Sequence, residues 1–479
     1  MLIVDSLLKH HLYNPDRIAF SDGDRTLDYR SFFAHAERTS NVLLHHGVRP
    51  GDRVAILLPR GVDAAYCIYG ILFTGACYIP LDIQNPASRL SYIIDDVQPH
   101  CLIGSGDKPE WCSDNVEWID INNSEFFEDE PQSDTNVIYR SSPEDIAAIL
   151  YTSGSTGHPK GVSISCRAMD AFVEWSASTF SINHDDRIAS LAPFHFDLSL
   201  FDLFTSVHCG AHTSFIPQSL TLAPGKLVAW FEENAITSWY TVPSILGFLA
   251  MRGGLAPDRL PAMKRILFAG EVFPLPGLTK LANALPNVEL YNLFGPTETN
   301  VCTYWQVDRE RLNTLSAIPI GKAACKAELM VDASGELLVQ GPCVMSGYWK
   351  NGDVQHSDQP WYHTGDRVSY NDQEELLYHG RMDRMIKSSG YRIEPAEIES
   401  VINDFDQVES SVVIGESDPI SGNRLVAAVV GNGVDIEGMR AHLRQSLAAY
   451  MQPYRFVQLD ELPLLSNGKV DYQAVEGMI

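Results

Sequence analysis

The stretch Leu150-Tyr-Thr-Ser-Gly-Ser-Thr-Gly-His-Pro-Lys-Gly-Val162 places four serine or threonine hydroxyls, three glycines and one lysine within eleven positions. It follows an apolar run, 146–150, that is typical of a buried strand. Glycines let the backbone turn tightly and bring its amide N–H groups close to a ligand, while hydroxyls add donors and lysine adds a positive charge. This combination predicts a loop that binds a polyphosphate.

Two other interpretations of this loop fit less well. The P-loop pattern requires a Gly-Lys-Ser/Thr ending at a fixed spacing, whereas Lys160 follows Pro159 and precedes Gly161. A flexible glycine-serine linker is disfavoured because strand-like segments flank the stretch on both sides. We therefore retain the polyphosphate site.

Composition narrows the class of protein. The chain has 479 residues, which exceeds a single hydrophobic core and predicts two to four domains or subdomains. Hydrophobic residues make up 45% and charged residues 20%, as in an ordinary globular enzyme. The net charge of −26 argues against nucleic acid as a partner, because the phosphates would be repelled. An ATP site needs only a few local cations, so it remains compatible with this charge.

The N-terminus, the apolar runs and the cysteines predict the cellular compartment of the protein. The N-terminus has no basic region followed by a long apolar core, so no signal peptide is predicted. No apolar run reaches the ~18 residues that a membrane span needs, and we expect no membrane partner. The nine cysteines are dispersed without a C-x-x-C pair, which predicts reduced thiols in a cytoplasmic protein.

The order of patterns along the chain predicts an α/β fold. Residues 53–59 read as a strand, 62–73 as a buried helix and 74–82 as a strand, and this β-α-β order implies a parallel sheet with helices on both faces. A second α/β unit is expected over 188–298. Strand and turn patterns over 316–380 then predict a small barrel-like sheet.

A domain boundary is expected within 380–399. Beyond it, Pro395 opens a predicted helix at its first turn. Two strands over 408–414 and 424–430 and a helix over 436–449 complete a small α+β domain of roughly 95 residues. We therefore expect two doubly wound α/β subdomains plus a small barrel in a large N-terminal domain, followed by a small, mobile C-terminal domain.

Three further segments carry polar groups suited to a nucleotide and a second ligand. Asp197 sits among apolar residues, where an unpaired carboxylate is costly; it either caps a helix or awaits a cationic amine in a pocket. In 291–299, Phe294 could stack on a purine, Thr297 could meet a phosphate and Glu298 could hold Mg²⁺. Asp366, predicted on a tight turn, either serves that turn or accepts from a ribose diol.

These blocks, from Leu27-Asp-Tyr29 to Asn467-Gly-Lys-Val-Asp471, resemble in order those of the adenylate-forming superfamily, which contains acyl-CoA synthetases, luciferases and nonribosomal peptide synthetase adenylation domains. The resemblance implies ATP and Mg²⁺ as cofactors, a core over residues 1–382, a hinge at Asp383 and a C-terminal lid over 383–479. The implied catalytic residues are Lys469, Thr152 and Glu298, and Glu298 is the implied metal ligand. The implied nucleotide-binding residues are Thr152, Ser153, Gly154, Ser155, Thr156, Gly157, Lys160, Gly270, Glu271, Asn292, Phe294, Gly295, Thr297, Asp366 and Arg381.

The family's chemistry explains these residue types. A substrate carboxylate, already ionised at pH 7, attacks the α-phosphorus of ATP, so catalysis is mostly positioning and charge neutralisation. The acyl adenylate then loses AMP to a thiol. The resemblance implies that the small domain rotates between the two steps, removing Lys469 and bringing the region around Gly390 to line a thiol tunnel.

An acidic residue at the position of Asp197 is similar to that of the family members that activate amino acids, where it pairs with the substrate ammonium. The resemblance gives the pocket residues as Asp197, Leu198, Phe201, Tyr240, Leu267, Ala269, Leu293, Val301 and Cys302. This mostly apolar set closely resembles that of stand-alone L-proline adenylation enzymes, which load a carrier protein. No carrier domain follows Lys469 in the sequence, so the acceptor thiol is expected in trans, either from the phosphopantetheine arm of a separate carrier protein or from coenzyme A.

Other functions remain open from the sequence. An acyl- or aryl-CoA ligase would give Asp197 a structural role, and a D-alanine–carrier protein ligase would keep its pairing with an ammonium. A non-catalytic nucleotide-binding protein is disfavoured because Thr152, Glu298, Asp366 and Lys469 are all intact.

Overall fold

The structure is a computed structural model that describes residues 2–123, 138–154, 157–418, 422–464 and 470–479. The strands, numbered in chain order, are β1 Ile18–Asp22, β2 Arg25–Asp28, β3 Arg53–Ile56, β4 Cys77–Pro80, β5 Cys101–Gly104, β6 Glu117–Asp120, β7 Ile146–Thr152, β8 Lys160–Ser165, β9 Arg187–Ser190, β10 His212–Phe215, β11 Ser238–Thr241, β12 Arg265–Phe268, β13 Glu289–Phe294, β14 Thr303–Gln306, β15 Pro319–Ala323, β16 Glu328–Val331, β17 Glu336–Gln340, β18 Gly347–Lys350, β19 Asp353–Gln355, β20 Tyr362–Tyr370, β21 Leu376–Arg381, β22 Ile386–Ser388, β23 Tyr391–Ile393, β24 Ser410–Asp418, β25 Gly422–Val430 and β26 Arg455–Leu459.

The α-helices are α1 Leu2–Tyr13, α2 Tyr29–His45, α3 Val62–Thr74, α4 Ala87–Val97, α5 Cys166–Thr179, α6 Ser206–Cys209, α7 Pro224–Glu233, α8 Pro243–Arg252, α9 Leu275–Ala284, α10 Pro395–Asn403, α11 Ile436–Ser446 and α12 Tyr472–Met478. A π-helix, Phe201–Thr205, leads into α6, and 3₁₀ turns occupy Gln218–Leu220 and Ala449–Met451.

Two large sheets organise the chain before the lid. Among the described residues, one is 13-stranded, in the order β16-β17-β20-β21-β15-β14-β13-β12-β11-β9-β10-β1-β2, and the other is 8-stranded, in the order β19-β18-β8-β7-β4-β3-β5-β6. The predicted β-α-β unit is confirmed, because β3 and β4 pair in parallel on either side of α3 in the chain. Both sheets also contain antiparallel pairs, for example β7 with β8, so the sheets are mixed.

The local sequence explains the best-buried helix. In α3 every residue except Asp63 is buried, as expected for a helix that is apolar on all sides. Gly75 ends the helix with φ +80°, a left-handed conformation that glycine adopts without steric cost.

The strand-rich segment 316–380, predicted as a small barrel-like sheet, contributes to both sheets. Strands β15, β16, β17, β20 and β21 form one end of the 13-stranded sheet, where β15 pairs antiparallel with β14, while β18 and β19 form an edge of the 8-stranded sheet. The expectation that Asp366 lies on a tight turn is wrong. Asp366 lies inside the nine-residue strand β20, at a register shift against β21. Gly365, at φ +70°, provides the irregularity that the Thr-Gly-Asp sequence suggested.

The C-terminal strands and helices have a hydrophobic core of their own, formed by residues such as Ile393, Ile398, Val429 and Leu443. The strands form a hairpin, β22-β23, and a three-stranded sheet, β24-β25-β26. The fold is therefore α/β, with a large N-terminal part and a smaller C-terminal part. The exact division at Asp383 stays a prediction; we call residues 383–479 the lid.

Candidate active site

The predicted phosphate loop connects two antiparallel strands. Thr152, at the end of β7, is opposite Lys160, at the start of β8. Gly157 adopts φ +86° within the loop. The Thr152 hydroxyl oxygen is buried and has no hydrogen-bond partner among the described residues, and a buried polar atom of this kind is suited to a ligand. Ser155 and Thr156, although predicted to contact phosphate, lie outside the described residues.

Glu298 lies at the centre of a cluster of donors. Its Oε1 accepts from Lys160 Nζ at 3.0 Å and from the Tyr348 hydroxyl at 2.7 Å. Arg392, which belongs to the lid, donates to both carboxylate oxygens at 3.0 and 2.9 Å. Although burial by itself raises the pKa of Glu298, Arg392 and Lys160 outweigh it and hold that pKa well below its usual range. Glu298 is therefore ionised and fully paired in this orientation of the lid.

Asp197 has different surroundings. It faces a cavity together with Tyr240, Ala269 and Val301. Burial raises the pKa of Asp197 to about 6, and the negative charge of Glu298 adds to the increase. The Thr297 hydroxyl and the Leu198 N–H partly offset that increase in pKa. Asp197 does not cap a helix, because the helix that follows has Leu200 at its N-cap and no side-chain cap hydrogen bond. No described residue forms a salt bridge with it at 4.0 Å or less.

The structure divides the nine predicted pocket residues into two groups. Those that line the cavity are Asp197, Leu198, Tyr240, Ala269 and Val301. Those that are almost completely buried in the surrounding core are Phe201, Leu267, Leu293 and Cys302. Phe201 packs edge-on against Tyr240, with ring centroids 5.9 Å apart. The second group therefore supports the wall of the cavity from behind.

The residues predicted to hold adenosine lie near the first strand of the lid. Asp366 pairs with Arg381 at 3.0 Å, directly across the β20–β21 ladder. Arg381 also donates from Nε to Asp383 at 2.8 Å. Phe294 has the ammonium of Lys387 5.1 Å from its ring centroid. Asn292 donates to the carbonyl of Pro319 at 2.8 Å.

Gly390 and Glu271 meet across the contact between the lid and the core. The Gly390 N–H donates to Glu271 at 2.6 Å, and the Ser244 N–H donates to the same carboxylate at 2.9 Å. Gly390 has φ +83°, and a Cβ at this position would lie 2.6 Å from Val242. Glu271, predicted to contact nucleotide, thus binds the lid in this orientation, while Gly270 and Gly295 line the cavity.

Two functional candidates were missed from the sequence. Lys387 and Arg392 are opposite each other in the β22–β23 hairpin around Gly390, and both line the cavity. Burial lowers the pKa of Lys387, while Asp366 opposes that decrease. Their symmetric spacing about Ser389-Gly390 was the available signal, because opposed residues of a hairpin share one face.

A second cavity, of about 790 Å³, adjoins the first. The two share the residues His195, Phe196, Leu198, Gly390 and Tyr391. Most of its lining is apolar, with Ile56, Leu58, Leu81 and Phe248 among the contributors. It reaches the Asp197 cavity beside Gly390, where the sequence predicted the approach of a thiol.

Two features are absent from the described residues. Among the described ranges, no helix combines the length and the apolar composition needed to cross a bilayer. Those ranges also contain no cluster of three or more histidine, cysteine or acidic side chains suited to a metal ion. Any metal at Glu298 would therefore take most of its ligands from a bound substrate or from water. Lys469, the predicted catalytic lysine, lies outside the described residues.

The chain is similar to known proteins over nearly its whole length. The family model "AMP-binding enzyme" matches residues 9–349, and "AMP-binding enzyme C-terminal domain" matches residues 397–469. An L-proline–[L-prolyl-carrier protein] ligase of Streptomyces coelicolor is 37% identical, over 94% of this chain and 92% of that protein. A ligase of the same name from Pseudomonas fluorescens is 32% identical, over 98% of both chains. In fold, the chain resembles an o-succinylbenzoate CoA synthetase from Bacillus subtilis, with a TM-score of 0.87, 24% identity and 98% of both chains covered.

Proposed function

This chain belongs to the AMP-binding enzyme family and is an AMP-forming ligase, and we propose that it activates L-proline and loads it onto a carrier protein. Proline is first converted to prolyl-AMP with release of pyrophosphate. The prolyl group is then transferred to the phosphopantetheine thiol of a separate carrier protein. Similarity to two L-proline–[L-prolyl-carrier protein] ligases over nearly the full chain supports both parts of this proposal.

The assignment of an amino acid substrate rests on the surroundings of the Asp197 carboxylate. Its carboxylate faces the cavity without a salt bridge from the described residues, and burial raises its pKa. A cationic substrate would supply the missing charge, and the secondary ammonium of proline has two N–H donors for it. The walls formed by Leu198, Ala269 and Val301 offer no partner to a polar side chain.

In the first step, a proline carboxylate oxygen forms a bond to the α-phosphorus of ATP, and the bond from that phosphorus to pyrophosphate breaks. No proton moves, since the nucleophile is already ionised. We assign phosphate contacts to the loop 152–160 and to Thr297, and ribose contacts to Asp366 and Arg381. Lys469 would bridge the substrate carboxylate and the α-phosphate.

The residues present fit a magnesium ion at Glu298 once Arg392 has withdrawn. The carboxylate is a hard oxygen ligand, and the orphaned Thr152 hydroxyl lies in the adjoining loop. When bound, Mg²⁺ would neutralise charge on the phosphates.

In the second step, the carrier's thiol sulfur forms a bond to the carbonyl carbon, AMP leaves with the oxygen, and the thiol proton passes to solvent. The apolar cavity that meets the Asp197 cavity beside Gly390 supports entry of a phosphopantetheine arm on this side. The contacts of Gly390, Arg392 and Glu271 support assigning the observed lid orientation to this step.

We also propose that the lid turns about Asp383, and that the protein works in the cytoplasm. All nine cysteines are free thiols, which supports a reducing compartment. Nothing in the proposed reaction requires a membrane or nucleic acid.

The deciding experiment is amino-acid-dependent ATP–pyrophosphate exchange with L-proline, valine, alanine, D-alanine and benzoate under identical conditions. We expect L-proline to be clearly preferred, with alanine poor because it leaves the cavity partly unfilled. A preference for D-alanine would indicate a D-alanine–carrier protein ligase. A preference for benzoate, with coenzyme A as acceptor, would indicate an aryl-CoA ligase and a structural role for Asp197.

A further inference from the structure

A buried ion pair joins the lid to the N-terminal part of the chain beside the phosphate loop. Arg89, in α4, pairs with Glu397, in α10, which lies 308 residues later in the chain. The two side chains are only 5% and 4% exposed. Close by, the Ser88 hydroxyl donates to the carbonyl of Gln445 at 3.1 Å. Neither Arg89 nor Glu397 was predicted from the sequence to have a role.

The surroundings of the pair tie it to one lid orientation. Burial raises the pKa of Glu397, while Arg89 and the backbone N–H of Gly154, in the phosphate loop, oppose that increase, so this carboxylate lies beside the loop. The same face of the lid places the carbonyl of Arg392 against the Ser153 hydroxyl, at 2.7 Å. These contacts exist together with the contact between Gly390 and Glu271. Any rotation that withdraws Gly390 from the cavity must therefore separate Arg89 from Glu397.

Removing one member of this ion pair should affect the two lid orientations differently. A charge buried without its partner is strongly unfavourable, whereas the same charge in water is not. Removing one member of the pair therefore penalises the orientation in which the other member is buried. Once the lid has rotated away and both side chains are hydrated, the same substitution has little effect.

We propose that Arg89 and Glu397 are positioning residues for the thioester-forming step, and that their ion pair holds the lid with Gly390 beside the cavity. This inference rests on the proposed two-step function. Neither residue contacts the reacting atoms; both act through the placement of the β22–β23 hairpin.

The test measures the two half-reactions separately. ATP–pyrophosphate exchange with L-proline reports adenylation, and single-turnover transfer from prolyl-AMP to free 4′-phosphopantetheine reports the second step. We expect Arg89→Met to slow transfer by ~10-fold or more while exchange stays within about twofold of the unsubstituted enzyme. Arg89→Lys, which keeps the charge, should retain more transfer than Arg89→Met.

A double-mutant cycle separates a specific pair from general destabilisation. In an enzyme that already carries Glu397→Met, adding Arg89→Met should have little further effect on transfer, because no buried carboxylate is left unpaired. Arg25→Ala is a matched control. Its ion pair with Asp63, at 2.8 Å, is exposed to solvent and joins two residues of the N-terminal part, away from the lid. Neither half-reaction should therefore change.

Three results would overturn the inference: equal losses in exchange and transfer for Arg89→Met, no loss in either, or additive effects of the two substitutions on transfer. Absence of exchange by the unsubstituted enzyme with L-proline would instead contradict the proposed substrate. The two failures are therefore distinguishable.

Discussion

Two carboxylates near the Asp197 cavity, those of Asp197 and Glu298, have opposite electrostatic surroundings. Glu298 is held by Lys160, Arg392 and the Tyr348 hydroxyl, and these groups keep its pKa low. Asp197 has no salt bridge from the described residues, and burial raises its pKa to about 6. Protein cations thus neutralise the charge of Glu298, whereas no described residue forms a salt bridge with Asp197.

This difference indicates what each carboxylate binds. A buried carboxylate that has no salt bridge, with Lys387 acting on it only across the shared cavity, is suited to a cation carried by the substrate. A carboxylate paired with a cation of the lid can exchange that partner when the lid moves. Asp197 should therefore determine which substrate is accepted, whereas Glu298 should affect every substrate equally.

The largest expected effect is that of Asp197→Asn, which leaves the substrate ammonium unpaired. Breaking a buried pair typically costs ~3–5 kcal/mol, so exchange with L-proline should fall by at least ~10²-fold at 1.4 kcal/mol per decade. Asp202→Asn is a matched control. Burial raises the pKa of Asp202 well above its usual value, but this carboxyl does not line the cavity, so the substitution should leave exchange unchanged. Near-normal exchange by Asp197→Asn would contradict the assignment.

Gly390→Trp should prevent the lid from adopting the observed orientation, and it should therefore affect transfer but not adenylation. A Cβ at Gly390 already lies 2.6 Å from Val242, so an indole displaces the hairpin that carries Arg392. Transfer to a thiol should fall by ~10²-fold, which is the effect of misplacing a catalytic element by about 1 Å. Exchange should persist, because Gly390 is withdrawn from the Asp197 cavity in the lid orientation proposed for adenylation. If exchange and transfer fell together, the two-orientation mechanism would lose its support.

Glu298→Gln should lower exchange roughly 10- to 100-fold, as expected for the loss of a metal ligand. Tetrahydrofuran-2-carboxylate, a proline analogue without the ammonium, sharpens the comparison. Its exchange should fall by the same factor in Glu298→Gln, but little in Asp197→Asn. An equal effect of Asp197→Asn on both substrates would show that this residue does not recognise the ammonium.

The smallest expected effect is a pH dependence. Asp197 must be ionised to pair with the ammonium, and its pKa is raised to about 6. Below about pH 6 the carboxyl becomes neutral, so kcat/KM for L-proline should fall by about tenfold per pH unit. Above that pH the carboxylate is available and the dependence should disappear. The profile should be flat in Asp197→Asn; the same slope in that variant would assign the titration to another group.

Some parts of the site could be predicted from sequence because they are local. The phosphate loop was predicted between two strands, and β7 and β8 flank it. Asp366 was expected on a turn but lies in a strand, because the Thr-Gly-Asp sequence forms a bulge as readily as a turn. Phe201 was expected to line the pocket but packs against Tyr240, which does line it, since which face of a helical segment meets a cavity depends on packing.

The sequence by itself determined the family, the order of the motifs and the kinds of groups that surround the proposed substrates. Motifs are read along the chain, and a glycine-rich loop or a buried aspartate has the same chemistry wherever the chain takes it. Only the tertiary structure decided that Arg392 pairs with Glu298, that Gly390 meets Glu271, and that Arg89 pairs with Glu397. These contacts join residues 94 to 308 positions apart. They depend on how the lid is placed against the core, and that placement follows from packing and from the pairing of buried charges.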